Sequence, residues 1–130
     1  MSPEAILRPD GADGRSDLYA LGAVGYYLLT GQHVFTGNSV VEICGHHLHT
    51  RPIAPAERLG APVSTPLADL ILRCLQKEPE ARPQSAAELL EELRDIDLAR
   101  GWGVQRARVW WSSHEKDLVA IRSKRSKSVP

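Results

Sequence analysis

Apolar positions recur along the chain at helical spacing, and the densest group of them lies between Ser16 and Thr30. In this segment nearly every face of a helix would carry an apolar side chain. A helix that is apolar all round packs against other protein on every side. Ser16 or Asp17 is predicted to cap its start, and Gly31 is placed to end it. We therefore expect a buried central helix in this segment.

Four further segments are predicted to be helical, and none has the strict alternation that is typical of a strand. They cover residues 39–49, the residues after Thr65, the residues after Ser85, and residues 104–118. Residues 50–64 contain several prolines and a glycine and are predicted to be a loop. Five helices without a sheet predict an all-α fold.

Two of these helix starts carry capping signals. Thr65 is expected to be an N-cap, with Pro66 at the first helical position. Ser85 and Glu88 have the spacing of a capping box. In that motif the Ser85 hydroxyl accepts a hydrogen bond from the Glu88 amide, and the Glu88 carboxylate accepts one from the Ser85 amide.

Composition excludes several classes of protein. The 130 residues include 16 basic and 16 acidic ones, so net charge gives no attraction to nucleic acid or membranes. Cys44 and Cys74 are far apart in sequence and form neither a disulfide framework nor a zinc-binding spacing, which is typical of a cytoplasmic protein. The longest apolar stretch, residues 18–29, is shorter than the roughly 20 residues of a membrane span. We expect no membrane segment and no signal peptide.

Three short motifs occur in an order that resembles the second half of the large lobe of a protein kinase domain. Residues 2–4 read Ser-Pro-Glu, which is similar to the Ala-Pro-Glu motif at the end of the activation segment. Residues 17–22 read Asp-Leu-Tyr-Ala-Leu-Gly, similar to the Asp-x-Trp-Ser-x-Gly start of the lobe's central helix. Residues 77–83 resemble the arginine-bearing loop before the last helix. Serine in the first motif resembles the bacterial serine/threonine kinases.

The resemblance implies structural roles for three charged residues. Glu4 and Arg82 would form a buried ion pair that joins the end of the activation segment to the later loop. Asp17 would accept backbone hydrogen bonds from a catalytic loop. Read alone, each residue is a surface charge or a helix cap.

The motifs that carry phosphoryl transfer have no counterpart in the sequence. The 130 residues contain no His-Arg-Asp, no Asp-Phe-Gly and no glycine-rich phosphate loop. We therefore predict no catalytic, cofactor-binding or metal-binding residue in this chain. ATP and Mg²⁺ are implied only for the full-length family, and the isolated chain is expected to be inactive.

The second predicted helix carries the histidine cluster His46, His47 and His49. A metal site would need further ligands from another element, so a polar helix face is the favoured interpretation. The resemblance implies that this helix helps to dock protein partners. Val40, Ile43 and His47 are the candidate docking residues.

The resemblance divides the chain into three parts. Residues 1–100 would be a partial kinase large lobe without the small lobe, residues 101–119 a helical extension, and residues 120–130 a basic, disordered tail. Helices that cover the central helix in a whole kinase have no counterpart here, so exposed apolar surface is expected.

Three functional hypotheses remain, in falling order. The first is a fragment of a serine/threonine protein kinase, whose family activity is ATP-dependent phosphorylation of protein hydroxyls. The second is a non-catalytic, pseudokinase-like module that docks a partner kinase through residues 39–60. The third is a nucleic-acid binder that uses the basic tail and the tryptophans. The tail carries only four cations, which is too few for much affinity, so we expect no nucleic-acid partner. The expected partner is a protein substrate or a partner kinase.

Overall fold

The computed structural model describes residues 1–96 and 103–126, which form seven α-helices and no β-strand within those ranges. The all-α prediction is confirmed. The chain divides into two compact units, Met1–Leu98 and Ala99–Pro130. The helices are α1 (Pro3–Leu7), α2 (Gly14–Thr30), α3 (Val40–His49), α4 (Pro55–Leu59), α5 (Thr65–Cys74), α6 (Ala86–Asp95) and α7 (Val104–Ser126), with single 3-10 turns at Pro9–Gly11 and Pro79–Ala81.

Two of the seven helices are short ones that the sequence analysis missed. Both α1 and α4 have five residues and begin with a proline, Pro3 and Pro55 respectively. Proline is compatible with the first turn of a helix, because the N–H that it lacks has no partner there. Residues 50–64 are therefore only partly a loop.

The central helix begins two residues earlier than predicted. Asp13 is its N-cap, and the Asp13 side chain accepts a hydrogen bond of 2.8 Å from the Arg15 amide. The expectation that Ser16 or Asp17 caps this helix is wrong. Gly31 ends it as predicted, with φ of 71° and its N–H donating to the Tyr27 carbonyl over 2.7 Å.

The starts of α5 and α6 differ from the predicted caps in detail. Thr65 is already the first residue of α5, and Ser64 precedes it as an N-cap without a side-chain hydrogen bond. At α6 the Ser85 hydroxyl accepts from the Glu88 amide over 3.1 Å, as expected. The Glu88 carboxylate, however, accepts from the Gln84 amide over 2.9 Å, one residue before the predicted donor.

The core of the first unit forms where helices α2 and α5 cross. Gly22 lies at the crossing, where a Cβ atom would stand 2.6 Å from the Cβ of Cys74. One cluster is centred on Tyr19 and Tyr26, both fully buried. A second joins α2 and α5 to Leu89 and Leu93 of α6 and to Ile96, which directly follows that helix.

Only part of α2 is buried. The apolar pattern alone predicted a helix surrounded by protein, whereas the exposed apolar surface expected where covering helices have no counterpart is present. Leu21, Val24 and Leu28 are 51%, 53% and 78% exposed. They border a groove of about 400 Å³ that we call the apolar groove. Its lining side chains come from α2, α5 and α6 and include Leu21, Val24, Leu28, Leu67, Ile71 and Leu89.

The second unit contains the long helix α7. This helix continues to Ser126, so residues 120–126 are helical rather than disordered as expected, and residues 127–130 lie outside the described residues. Trp110 stacks on His114 with ring centroids 4.3 Å apart. Trp111 is 59% exposed. No helix in the described ranges combines the length and the apolar character that crossing a membrane requires.

Candidate functional site

Arg82 lies at the centre of the site, immediately after the 3-10 turn, with its side chain fully buried. Its two terminal nitrogens donate to the two carboxylate oxygens of Glu4, each over 2.7 Å. This is the bidentate geometry in which a planar guanidinium meets a carboxylate most favourably. The sequence-predicted pair Glu4 and Arg82 is thus brought together in the structure.

Three backbone carbonyls complete the surroundings of the guanidinium. Nε donates to the Gln76 carbonyl over 2.8 Å, Nη1 to the Arg15 carbonyl over 3.0 Å, and Nη2 to the Lys77 carbonyl over 2.9 Å. Together with Glu4 they use all five N–H groups that an arginine side chain carries. The ion pair and the full set of hydrogen bonds offset the cost of removing this cation from water, which an unpaired buried charge would bear in full.

Glu4 is positioned by α1 and by the beginning of α2. It lies in the first turn of α1, and the Ser16 hydroxyl also donates to its Oε1. The Arg82 guanidinium, with help from Ser16, holds the pKa of the Glu4 carboxyl at about 2, below its usual 4.5. The carboxylate therefore stays charged throughout the neutral range.

Tyr19 connects the ion pair to helix α3. The Arg82 guanidinium lies over the Tyr19 ring, 4.9 Å from its centroid. On the other side, the Tyr19 hydroxyl is 2.8 Å from Nδ1 of His47. Burial raises the pKa of Tyr19 to about 12, so the hydroxyl keeps its proton. A buried hydroxyl hydrogen needs an acceptor, and His47 Nδ1 in its unprotonated form supplies one.

Lys77 fastens the C-terminal end of α3. Its ammonium donates to the carbonyls of His46 and His47, over 3.2 and 2.7 Å, where the helix leaves carbonyls without partners. The same ammonium lies 4.7 Å from the centroid of the Phe35 ring. Burial, reinforced by Arg82, lowers the pKa of Lys77 to about 8, and burial lowers that of His47 to about 4.

The remaining residues predicted for the site, Asp17, Val40, Ile43 and His47, differ in how far they are exposed. Asp17 is exposed, and within the described part of the chain its side chain has no hydrogen bond or ion pair. Val40 is 76% exposed at the start of α3, and Ile43 is partly buried. His47, proposed for docking, instead points inward to Tyr19.

The histidine cluster does not converge on one point. His46 Nδ1 is paired with the Thr50 hydroxyl at 2.9 Å, while His49 is exposed. Across residues 1–96 and 103–126, no group of three potential metal ligands stands close enough to hold an ion.

Sequence reasoning missed the supporting role of Lys77 and of the carbonyls at Arg15 and Gln76. A carbonyl acceptor leaves no trace in the sequence, because every residue carries one. Lys77 could have been noticed as a second cation in the loop whose Arg82 was expected to be buried, where it needs acceptors.

Comparison of the sequence with known proteins finds protein kinases, the class that the motifs of the chain resemble. No protein-family model matches the chain. Serine/threonine-protein kinase PknB of Mycobacterium tuberculosis is 43% identical over 93 residues, which are 72% of this chain and 14% of the kinase. PknB of Mycobacterium leprae is 42% identical over 93 residues, covering 72% of this chain and 15% of the kinase.

A relative from a different bacterium gives the same result. Serine/threonine-protein kinase Pkn3 of Myxococcus xanthus is 42% identical over 101 residues, which are 77% of this chain and 18% of the kinase. The chain is thus homologous to a part of the bacterial serine/threonine-protein kinases, and the resemblance drawn from its motifs is confirmed. It spans only 14–18% of the length of these relatives.

Proposed function

We propose that residues 2–98 form the C-terminal part of the large lobe of a serine/threonine protein kinase. Their role is to hold the end of the activation segment against the lobe. The observation that carries this proposal is the bidentate pair between Glu4 and Arg82, which joins positions 78 residues apart through a fully buried guanidinium. The activity it serves is ATP-dependent phosphorylation of serine and threonine in a cytoplasmic protein substrate.

Positioning is the physical reason why such a pair matters. Phosphoryl transfer depends mostly on the placement of substrate, metal and phosphate, because the protein does little covalent chemistry. A segment held by two charge-assisted hydrogen bonds keeps its place better than one held by a single contact. ATP and Mg²⁺ would be bound by kinase elements that have no counterpart among these 130 residues.

A chimeric kinase tests this proposal. The homologous segment of M. tuberculosis PknB is replaced by residues 2–98 of this chain, and phosphate transfer to a protein substrate is measured. We expect an active chimera, and we expect Glu4→Gln within it to lower activity. Asp13→Asn, in an exposed ion pair, is the matched control and should leave activity unchanged. A folded but inactive chimera would contradict the proposal.

The isolated 130-residue chain is expected neither to bind ATP nor to transfer phosphate. Equilibrium binding of labelled ATP and autophosphorylation with Mg²⁺ measure the two properties. Incorporation of phosphate by the pure chain, and not by a mock preparation, would refute this expectation.

A non-catalytic interaction module is the second candidate, and the exposed start of α3 favours it. Val40 and Val41 are 76% and 82% exposed there. The partner would be a kinase that binds residues 39–60. This predicts a complex between the chain and an intact homologous kinase that Val41→Asp weakens. Exposed Val109→Asp in α7 is the control, and equal binding by both variants would exclude this surface.

A further inference from the structure

Helix α3 has no fully buried residue, and it packs against α1 and the Phe35 ring as well as against α2. Its contact with α2 is made by the ring of His47, which meets Tyr19, and the Lys77 ammonium holds its last carbonyls. The Phe35 ring packs edge-on against the His47 imidazole, with centroids 5.0 Å apart. Because its residues are at most partly buried, opening of this helix costs less free energy than opening of α2 or α5, and a charge on His47 can shift that equilibrium.

The contact with Tyr19 depends on the protonation state of His47. Tyr19 is completely buried, and its hydroxyl has His47 Nδ1 as its partner within the described residues. A neutral imidazole can accept the phenolic proton, whereas an imidazolium carries hydrogens on both nitrogens and accepts none. Protonation would therefore leave the buried hydroxyl hydrogen without its acceptor.

The surroundings of His47 also resist a second positive charge. The Lys77 ammonium bonds the carbonyl of His47 itself, and the N-terminal amino group and His46 also disfavour the charged imidazole. The nearby carboxylate of Glu4 already gives both oxygens to Arg82. The titratable and charged groups around His47 are Tyr19, His33, Glu4, Lys77, Arg82, the Met1 amino group and, on α3 itself, His46.

We propose that Tyr19, His47 and Lys77 form an acid-sensitive latch, which holds α3 against α2 at neutral pH and releases it in mildly acidic solution. The latch is independent of the proposed kinase function, since it concerns only the attachment of one helix.

The direction of the pH effect follows from the shift at His47. Burial lowers its pKa to about 4 in the attached state, and release restores the usual value of 6.5. A group whose pKa is depressed stabilises the attached state fully above the higher value. That stabilisation is lost as pH falls from 6.5 toward 4. The latch therefore closes above this window and opens within it.

Amide hydrogen exchange of residues 43–46, whose N–H groups are bonded within the helix, measures the opening of α3. The wild-type chain and His47→Gln are compared at each pH, so that the intrinsic exchange rate cancels. Between about pH 7 and about pH 5 the ratio of wild-type to variant exchange should rise on the order of tenfold. His49→Gln, which alters an exposed histidine of the same helix, should retain the wild-type dependence. A wild-type ratio that stays flat across this range would overturn the proposal.

A measurement on the wild-type chain alone guards against a variant that fails to fold. The imidazole of His47 is titrated by NMR in the wild-type chain. The proposal requires the pKa of His47 to lie below the usual 6.5. Titration of His47 at the usual value would refute it.

Discussion

Glu4 and Arg82 carry opposite charges, and removal of either one would leave the other without its partner. The Arg82 side chain is fully buried and that of Glu4 is 18% exposed. Glu4→Gln is expected to lower the free energy of unfolding by about 3–5 kcal/mol, the usual cost of breaking a buried pair. Urea denaturation followed by circular dichroism measures the loss.

The control for this prediction is Arg73→Gln. Arg73 also pairs with a carboxylate through two hydrogen bonds, to Glu92, but its side chain is 43% exposed. Solvent screens such a pair, so its loss should cost about 1 kcal/mol or less. Equal losses in the two variants would show that burial does not distinguish the two pairs.

Acid should weaken the same pair in a defined range. The pKa of Glu4 is about 2 in the folded chain, against a usual 4.5. Its stabilising contribution is fully present above pH 4.5 and is lost as pH falls toward 2. The difference in unfolding free energy between wild type and Glu4→Gln should therefore shrink in this range. A difference independent of pH there would contradict this assignment.

Some side-chain contacts could be predicted from the sequence, and others could not. Pairing of Glu4 with Arg82 could be expected, because each lies in a motif of the kinase resemblance. The orientation of His47 could not, because it depends on a tyrosine 28 positions away and on the turn of α3 that faces it. Nothing in the local pattern separates His47 from His46 or His49.

At the scale of helices, two glycines in helical positions should respond oppositely to alanine. Gly22→Ala would place a Cβ 2.6 Å from that of Cys74 and push α2 away from α5. Overpacking costs about 1–3 kcal/mol, and the gain in helix propensity offsets about 1 kcal/mol of it. Because no side-chain rotation moves the Cβ of Cys74 away, we expect the cost to prevail and the free energy of unfolding to fall by up to about 2 kcal/mol.

Gly45→Ala is the matched variant in α3, where a Cβ would meet nothing within 4 Å. It should raise the free energy of unfolding by about 0.5–1 kcal/mol through propensity alone. Thermal or urea denaturation of both variants measures whether each one raises or lowers the free energy of unfolding. Stabilisation by Gly22→Ala would show that the helices do not approach as closely as described.

Helix types were easier to predict than helix boundaries. The long helices follow from apolar spacing, and the serine that begins α6 acts as predicted. The cap of α2 was missed because Asp13, Ser16 and Asp17 are all suitable residues, and only the path of the preceding loop selects one. Helix α4 was missed because the prolines of residues 50–64 were taken as loop signals, and α1 was missed because five residues are too few to show helical spacing.

For the whole molecule, the apolar groove is the feature with the clearest solution signature. Leu28→Glu places a charge on its rim, where the leucine is 78% exposed, and should reduce binding of a fluorescent apolar dye and light scattering. Val41→Glu, at a valine 82% exposed and outside the groove, should change neither. Equal effects of the two variants would show that the dye does not bind in the groove.

The apolar composition of α2 correctly predicted that this helix packs against other helices. It did not predict what fraction of the helix surface they cover. Periodicity reports how many faces of a helix are apolar, whereas burial depends on which neighbours are present. Here α5 covers one side, while Leu21, Val24 and Leu28 remain exposed. An all-α class and exposed apolar surface on the central helix could be predicted from the sequence, whereas the bounds of the groove, which α5 and α6 set, could not.

The link between Glu4 and Arg82 has a further consequence for proteolysis. Hydrolysis in the exposed segment between α1 and α2, at residues 10–13, would cut the chain between the carboxylate and its buried guanidinium. The two pieces would be expected to stay associated after the cut, because α1 carries the carboxylate that the buried cation requires.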